Sequence, residues 1–224
     1  MQTVTGKDLE SSYGKRKVIA QLSAALSQGQ IIIAPVAQGY AYLGDGRSGS
    51  AMSQIREIKG FDAAIPLVTL VANYKQVEQY CGSLTSEQIR VIKKFWPGAL
   101  IIERETQSHL RYSFGSRILP DRLMFTEATN SIVKALCRKV GPLGFSPVMA
   151  NGELGREVIT DITALTNEST EKVSHLLSAA TESWSQLKST WLLLEGGEVK
   201  IRRIGEISEA SIREIIPRAK LDLR

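Results

Sequence analysis

Hydrophobic residues recur along this chain with two kinds of spacing, one typical of helices and one typical of strands. Spacings of three and four residues predict amphipathic helices at residues 15–28, 50–59, 85–95, 127–139 and 169–180, with a last helix between Ser208 and Pro217. Short apolar, β-branched runs predict strands at residues 31–33, 66–72, 99–103, 191–195 and 199–204. Helices and strands therefore alternate along most of the chain.

Several of these elements carry a recognisable start or stop signal. Thr85 and Gln88 form the capping-box pattern that begins a helix, and Gly29 can adopt the left-handed conformation that ends one. Gly196 and Gly197 separate the last two strands, where they predict a hairpin turn.

The order of the elements predicts the class of fold. Alternating helices and strands are typical of an α/β domain, here a single one with a twisted mixed sheet and flanking helices. The connections are too short to contain an obvious interdomain linker. In the helix predicted at residues 169–180, the buried face carries Val173, Leu176 and Leu177.

The composition is that of an ordinary globular protein. The chain has 224 residues, of which 43% are apolar. No apolar run approaches the roughly 18 residues of a membrane-spanning helix, and the polar N-terminal segment lacks the apolar stretch of a secretory signal. The two cysteines, Cys81 and Cys137, show no metal-type spacing and favour no disulfide framework. We therefore expect a cytoplasmic protein that does not enter the membrane.

The charge of the chain changes this picture only slightly. The formal net charge is +5 and the isoelectric point is close to 9.2, which favours binding of nucleotides or nucleic acid but also fits a simply solvated basic surface. The sequence contains no phosphate-binding glycine loop and no H-E-x-x-H motif. His109 and His175 are isolated, so neither is predicted to bind metal or to act in catalysis.

A set of short stretches occurs in a distinctive order. They are APVAQGYAYLG (34–44), IKGFDAAIPL (58–67), FWPGAL (95–100), GSRILP (115–120), GPLGFSPVMANGE (141–153), STWLLLEGG (189–197) and IRRIGEI (201–207). In this order they resemble the YrdC-like family, the threonylcarbamoyl-adenylate synthases. The phenylalanine-tryptophan-proline-glycine run is the most specific single match.

The resemblance implies a fold, an activity and a set of ligands. The fold is a YrdC-like twisted α/β sheet around a deep basic cavity, with the domain at residues 15–216, an N-terminal extension at 1–14 and a tail at 217–224. The activity joins ATP, bicarbonate and L-threonine into L-threonylcarbamoyl-adenylate and pyrophosphate, with Mg²⁺ accompanying the nucleotide. The product serves the modification of adenosine 37 in tRNA, so tRNA or tRNA-modification proteins are expected partners.

The matching positions also imply which residues form the site. Nucleotide binding is implied for Lys59, Arg117, Ser146, Ser189 and Arg203. Lys59 is also the candidate catalytic residue, Tyr40 would line the threonine pocket, and Asn151 is a further candidate for substrate binding. No residue is implied as a metal ligand.

Some of these residues have structural interpretations as well. Lys59 precedes a glycine at a predicted helix end, where a cation offsets the helix dipole. Asn151 and Gly152 form a common turn pair, and Arg203 lies in a predicted strand from which it could simply reach solvent.

The chain departs from the family pattern at positions that carry polar side chains in the family. Val36, Ala37 and Gln38 replace a Thr-Asp-Thr run whose hydroxyls help to hold threonine, and Val148 replaces an asparagine. Valine offers no hydrogen bond in place of a hydroxyl, so recognition of threonine is expected to weaken.

Two of the three cations in the second stretch are also replaced. Phe61 stands in place of an arginine and Ile65 in place of a lysine. Cations beside a triphosphate offset the charge that develops in the transition state. Their loss is expected to weaken adenylate formation unless Arg56 or Arg47 takes over this role.

Three functional hypotheses follow from this mixture of matches and departures. The first is a diverged threonylcarbamoyl-adenylate synthase that works in tRNA modification. The second is a catalytically impaired paralogue that keeps the fold and binds a nucleotide, RNA or a partner protein. The third is an enzyme that activates another small acid or carbamate on the same fold.

Overall fold

An eleven-stranded mixed sheet runs through the part of the chain that the structure describes. The structure is a computed structural model, and it describes residues 1–62, 65–106, 121–150, 157–178, 184–185 and 187–223. The strands are β1 (Gln2–Val4), β2 (Ile31–Val36), β3 (Gly39–Asp45), β4 (Val68–Val71), β5 (Leu100–Glu105), β6 (Arg122–Glu127), β7 (Leu143–Pro147), β8 (Val173–Leu177), β9 (Thr190–Glu195), β10 (Glu198–Arg203) and β11 (Lys220–Leu221).

Helices connect many of these strands. Within the described ranges they are α1 (Ser12–Ser27), α2 (Gly49–Ile58), α3 (Tyr74–Cys81), α4 (Ser86–Phe95), α5 (Ser131–Lys139), α6 (Asn167–Thr170) and α7 (Glu209–Ile215). Short 3-10 helices occupy Gly6–Leu9 and Ile162–Ala164. None of the helices described combines the length and the apolar character that a bilayer span requires.

The strands follow the order β1-β8-β2-β3-β7-β4-β6-β5-β9-β10-β11. The sheet contains parallel pairs, such as β2 with β8 and β5 with β9, as well as antiparallel pairs, such as β2 with β3 and β9 with β10. This mixed sheet with flanking helices confirms the predicted fold class. β1 comes from the predicted N-terminal extension and β11 from the predicted tail, and each pairs at an edge of the same sheet.

Helices pack on both faces of the sheet. The helices α1 and α5 contribute to one core cluster, while α2, α3, α4 and α7 contribute to the other. The strand β2 is buried on both faces, since Ile32 belongs to the first cluster and Ile31 and Ile33 belong to the second. A strand that is buried on both faces needs apolar side chains at successive positions.

Polar caps fix where the helices begin. The caps that accept a backbone N–H are Ser11, Ser48, Asn73, Thr85, Asn130, Thr166 and Ser208. The capping box predicted before α4 is confirmed, because Thr85 Oγ1 accepts from Gln88 N at 3.2 Å and Gln88 Oε1 accepts from Thr85 N at 3.1 Å. Asn130 caps α5, which therefore begins at Ser131 rather than at residue 127.

The helix predicted at residues 169–180 is wrong over most of its length. The helix α6 ends at Thr170, and Val173–Leu177 form β8 between β1 and β2. Leu176 packs in one core cluster and Leu177 in the other. Because both faces of β8 are buried, its apolar residues occur at spacings that also match a helix.

His175 occupies this strand and has little access to solvent. His175 is 9% exposed, and its Nδ1 lies 2.9 Å from Ser174 Oγ. Burial lowers the pKa of His175 below its ordinary value of 6.5, and the charge of the N-terminal amine lowers it further. The folded protein therefore holds His175 neutral more strongly than the unfolded chain does.

We predict that acid destabilises the protein through His175. Since the folded-state pKa is the lower one, the unfolded state binds the proton first, and stability is lost as the pH falls below about 6.5. Thermal unfolding at pH 7.5 and pH 5.5 should show a lower Tm at the acid pH. The His175→Gln variant should show a smaller fall between the same two pH values, and an equal fall in both proteins would contradict the prediction.

Candidate functional site

A cavity of about 830 Å³ lies on the sheet face that α1 and α5 partly cover. Its volume falls within the usual range for small-molecule sites. The side chains that line it come from two halves of the sheet. Pro35, Gln38 and Ser146 belong to the half that contains β2, β3 and β7, whereas Ser189 and Arg203 belong to the half that contains β9 and β10.

The turn between β2 and β3 forms one wall of the cavity. Val36 pairs with Gly39, so Ala37 and Gln38 make a tight hairpin turn that the sequence analysis did not predict. Gly39 has a φ of +147°, and a Cβ atom there would lie 2.5 Å from the carbonyl oxygen of Ile159. Tyr40 N donates to the same oxygen at 2.8 Å. A glycine is therefore required at position 39 for the Ile159 carbonyl to approach the turn this closely.

The opposite wall joins two of the sequence stretches into one unit. Thr190 Oγ1 accepts from the backbone nitrogens of Gly205 and Ile207, at 2.9 and 3.0 Å, and donates to Ile207 O at 2.7 Å. Arg203 Nε donates to Ser189 O at 3.1 Å. These bonds place Ser189 and Arg203 side by side on the cavity, and burial lowers the pKa of the Arg203 guanidinium without removing its charge at neutral pH.

A side-chain hydrogen bond connects the two walls. Gln38 Nε2 donates to Ser189 Oγ at 2.7 Å, and both residues line the cavity. In the sequence, Gln38 is visible only as a departure from the family pattern. No local signal could have found this contact, because 151 positions separate the two residues in the chain.

Lys59 does not line the cavity but lies directly behind its wall. The residue caps the end of α2 and is 4% exposed. Its Nζ donates to Pro147 O at 2.8 Å and lies 5.5 Å from the centre of the Phe61 ring. Phe61 itself lines the cavity, so a ring occupies a position where the family pattern has a cation.

The other residues predicted for the site are distributed as follows. Ser146 is buried on β7 and lines the cavity. Tyr40 is buried outside the lining, where its ring packs against Trp184 at 5.5 Å between centroids. Arg117 and Asn151 lie outside the described residues.

The two arginines considered as replacement cations do not line the cavity. Arg47 forms a 2.9 Å ion pair with Asp45. Arg56 is buried, which lowers its pKa, and its Nε lies 3.5 Å from Ile65 O. Neither arginine is among the residues that surround the cavity.

The described part of the lining is less basic than the resemblance implies. Its charged residues are Lys188, Arg203, Glu127 and Glu157, and the rest are mostly apolar or neutral. Two cations and two carboxylates give no excess of positive charge, which corrects the expected basic cavity for this part of the lining. The physical reason is that Phe61 contributes a ring and that Lys59 lies behind β7.

No group of three potential metal-ligating residues, counting histidine, cysteine, aspartate and glutamate, occurs among the described residues. Magnesium in nucleotide sites is commonly held by phosphate oxygens and only one or two carboxylates. The carboxylates of Glu127, which is paired with Lys134, and of Glu157 lie on the lining and are compatible with this manner of binding.

Comparisons with known proteins agree with the fold. The Sua5/YciO/YrdC family model, described as "Telomere recombination", matches residues 24–205. A putative threonylcarbamoyl-AMP synthase of Mycobacterium leprae is 25% identical over 198 residues, covering 88% of this chain and 87% of that protein.

Two solved structures share the architecture. Sua5 of P. abyssi, solved with L-threonine, has a TM-score of 0.77 at 19% identity and is matched by 93% of this chain. The chain spans 59% of that Sua5 protein. YciO of E. coli has a TM-score of 0.70 at 17% identity, covering 88% of this chain and 93% of its own.

We predict that Gly205→Ala disrupts the wall that carries Ser189 and Arg203. A Cβ atom at this position would lie 2.0 Å from Lys188 O and 2.7 Å from the Ser189 carbonyl carbon, so the backbone must shift. We expect a loss of stability of at least about 1 kcal/mol, as for other overpacking changes, measured by urea unfolding. Gly49→Ala is the matched control, because a Cβ atom there has no neighbour within 4 Å, and equal stability of both variants would contradict the prediction.

Proposed function

The chain belongs to the Sua5/YciO/YrdC family, and on that premise we propose that it binds ATP and makes L-threonylcarbamoyl-adenylate slowly. The observation that carries this proposal is the meeting of Ser146, Ser189 and Arg203 on one cavity large enough for a nucleotide. These residues come from separate stretches of the sequence, and the family pattern associates all of them with the nucleotide.

The phosphates of ATP are expected to lie beside Ser189 and Arg203. A guanidinium donates charge-assisted hydrogen bonds to phosphate oxygens, and the Thr190 bonds described above hold both residues in place. Mg²⁺ would enter with the nucleotide and neutralise part of the phosphate charge. Arg117 and Asn151 remain candidates for nucleotide and substrate binding from the sequence.

In the proposed reaction the protein mainly positions its substrates. The amine of L-threonine and bicarbonate form a carbamate with loss of water, and a carbamate oxygen attacks the α-phosphorus of ATP, which breaks the bond to the β-phosphate and releases pyrophosphate. Held in one cavity, the reactants gain the advantage of proximity and orientation. The P. abyssi Sua5 structure with L-threonine supports this amino acid as the substrate. Tyr40 is buried outside the cavity lining, so it would support the turn after Val36 rather than contact the ligand directly.

The rate is expected to be low because positive charge is scarce at the site. Lys59 donates to a backbone carbonyl and faces the Phe61 ring, and Phe61 provides no cation. Loss of a single group that stabilises charge in a transition state commonly costs about 10²-fold or more in rate.

A second candidate function is favoured by the same contact between Lys59 and Phe61. A lysine that is held by a carbonyl and a ring is suited to stabilising the fold. The protein could then bind a nucleotide or RNA without catalysing adenylate formation. The mildly basic net charge is compatible with tRNA as a partner in either case.

The proposed activity is tested by incubating the protein with ATP, bicarbonate and L-threonine and measuring pyrophosphate and the adenylate. We predict slow, threonine-dependent formation of both products, reduced by about tenfold or more in Arg203→Met, which removes the guanidinium that lines the cavity. Lys94→Met, an exposed lysine on α4, is the matched control and should retain the wild-type rate. Absence of product, together with ATP or tRNA binding that weakens as salt rises, would favour the second candidate.

We also predict that Phe61→Arg raises the rate of adenylate formation. The new guanidinium would extend from a position on the cavity lining toward the nucleotide and restore a missing cation. The expected gain is about tenfold or more in kcat, measured as pyrophosphate release at saturating ATP. Phe61→Leu removes the ring without adding charge and should bring no gain. An equal rise in both variants would show that space, and not charge, limits the wild-type reaction.

A further inference from the structure

The hydrogen bond between Gln38 and Ser189 has a direction that matters for ligand binding. A serine hydroxyl has one proton to donate and two lone pairs that accept. Because Gln38 Nε2 donates to Ser189 Oγ at 2.7 Å, the bond uses a lone pair and leaves the proton available. Within the described residues, no protein group accepts the Ser189 hydroxyl proton.

Arg203 offers further donors beside this hydroxyl. Its Nε donates to the Ser189 carbonyl, whereas its two terminal nitrogens have no acceptor among the residues that the structure describes. A guanidinium cannot accept a hydrogen bond. The free groups of Ser189 and Arg203 are therefore donors only, and they suit an anion with several acceptor oxygens, such as a phosphate group.

We infer that Gln38 is a positioning residue, whose amide orients the Ser189 hydroxyl to donate its proton to a ligand phosphate beside Arg203. This inference rests on the proposed function, because the phosphate is that of the nucleotide. The inference gives a chemical role to the glutamine that stands in place of the threonine of the family pattern, since Gln38 controls which way the Ser189 proton points.

Two substitutions separate orientation from packing. Gln38→Glu places a carboxylate next to Ser189, so the hydroxyl donates its proton to residue 38 and none remains for the phosphate. Gln38→Met keeps an unbranched side chain of similar length but removes the amide donor. Neither substitution changes Ser189 or Arg203 itself, and thermal unfolding monitors whether each variant remains folded.

The affinities of AMP, adenosine and inorganic pyrophosphate are measured by calorimetry for each protein. We expect Gln38→Glu to weaken AMP binding by about tenfold or more, because a charge-assisted contact is lost and a like charge is added. Adenosine has no phosphate, so its affinity should change by less than about twofold. The Gln38→Met variant should show a smaller loss for AMP and, again, no loss for adenosine.

A double-mutant cycle tests whether Gln38 acts through Ser189. Ser189→Ala removes the hydroxyl that Gln38 is proposed to orient. If the two residues act together, Gln38→Met should add no further loss of AMP affinity when Ser189→Ala is already present. Independent, additive losses would overturn the inference.

The remaining outcomes distinguish this inference from the proposed function. Equal losses of AMP and adenosine affinity would assign Gln38 a purely structural role and overturn the inference. If the wild-type protein fails to bind ATP and AMP but binds pyrophosphate in a Gln38-dependent way, the proposed function fails, whereas the orientation of Ser189 by Gln38 toward a phosphate group stands. If none of these anions binds to the wild-type protein, both are overturned.

Discussion

The site depends on the close approach of the chain at Gly205 to the beginning of β9. The absence of a side chain allows Gly205 N to reach Thr190 Oγ1 at 2.9 Å, while the same glycine lies against the backbone of residues 188–190. The Thr190 hydroxyl also accepts from the backbone N–H of Ile207 and donates to its carbonyl oxygen, just beyond the end of β10. As a result, Ser189 and Arg203 are fixed relative to each other by the backbone and not only by their side chains.

This constraint explains how the cavity can retain a nucleotide-sized form while its chemistry differs from the family pattern. The wall at Ser189 and Arg203 is set by glycine and threonine contacts that do not involve position 61. At the other wall, Phe61 replaces a cation, and its ring stands 5.5 Å from the Lys59 ammonium. A ring and a cation attract each other, so a substitution at position 61 also changes what the neighbouring lysine contacts.

Much of the fold could be predicted from the sequence because burial on both sheet faces leaves long apolar runs. The Ile31–Ile33 run and the hairpin at Gly196 and Gly197 correspond to β2 and to the β9–β10 pair. The same property made β8 resemble a helix in the sequence, because a strand covered on both sides can have the apolar spacing of a helix. The edge strands β1 and β11 carry mainly exposed residues, so no hydrophobic pattern marked them.

The candidate site was less predictable than the fold, because a motif gives residue types but not directions. Ser146, Ser189 and Arg203 could be chosen from the order of the stretches, and they line one cavity. The same reasoning could not show that Lys59 donates to Pro147 O behind the wall. Nor could it show that Gln38 bonds Ser189, since that contact depends on how the two halves of the sheet meet.

Where the two halves of the sheet meet, charge is distributed unevenly along the cavity lining. Arg203 and Lys188 place positive charge at the β9–β10 side, whereas Glu127 at the end of β6 is already paired with Lys134. Arg203 has no carboxylate partner among the described residues, so its charge favours an anionic group at this side, because interactions between charges strengthen as water is excluded. Between these ends the lining is apolar at Phe145 and Ile101. A ligand with one anionic end and one flat apolar end would therefore bind most favourably with its anionic end toward the wall that Gly205 holds in place.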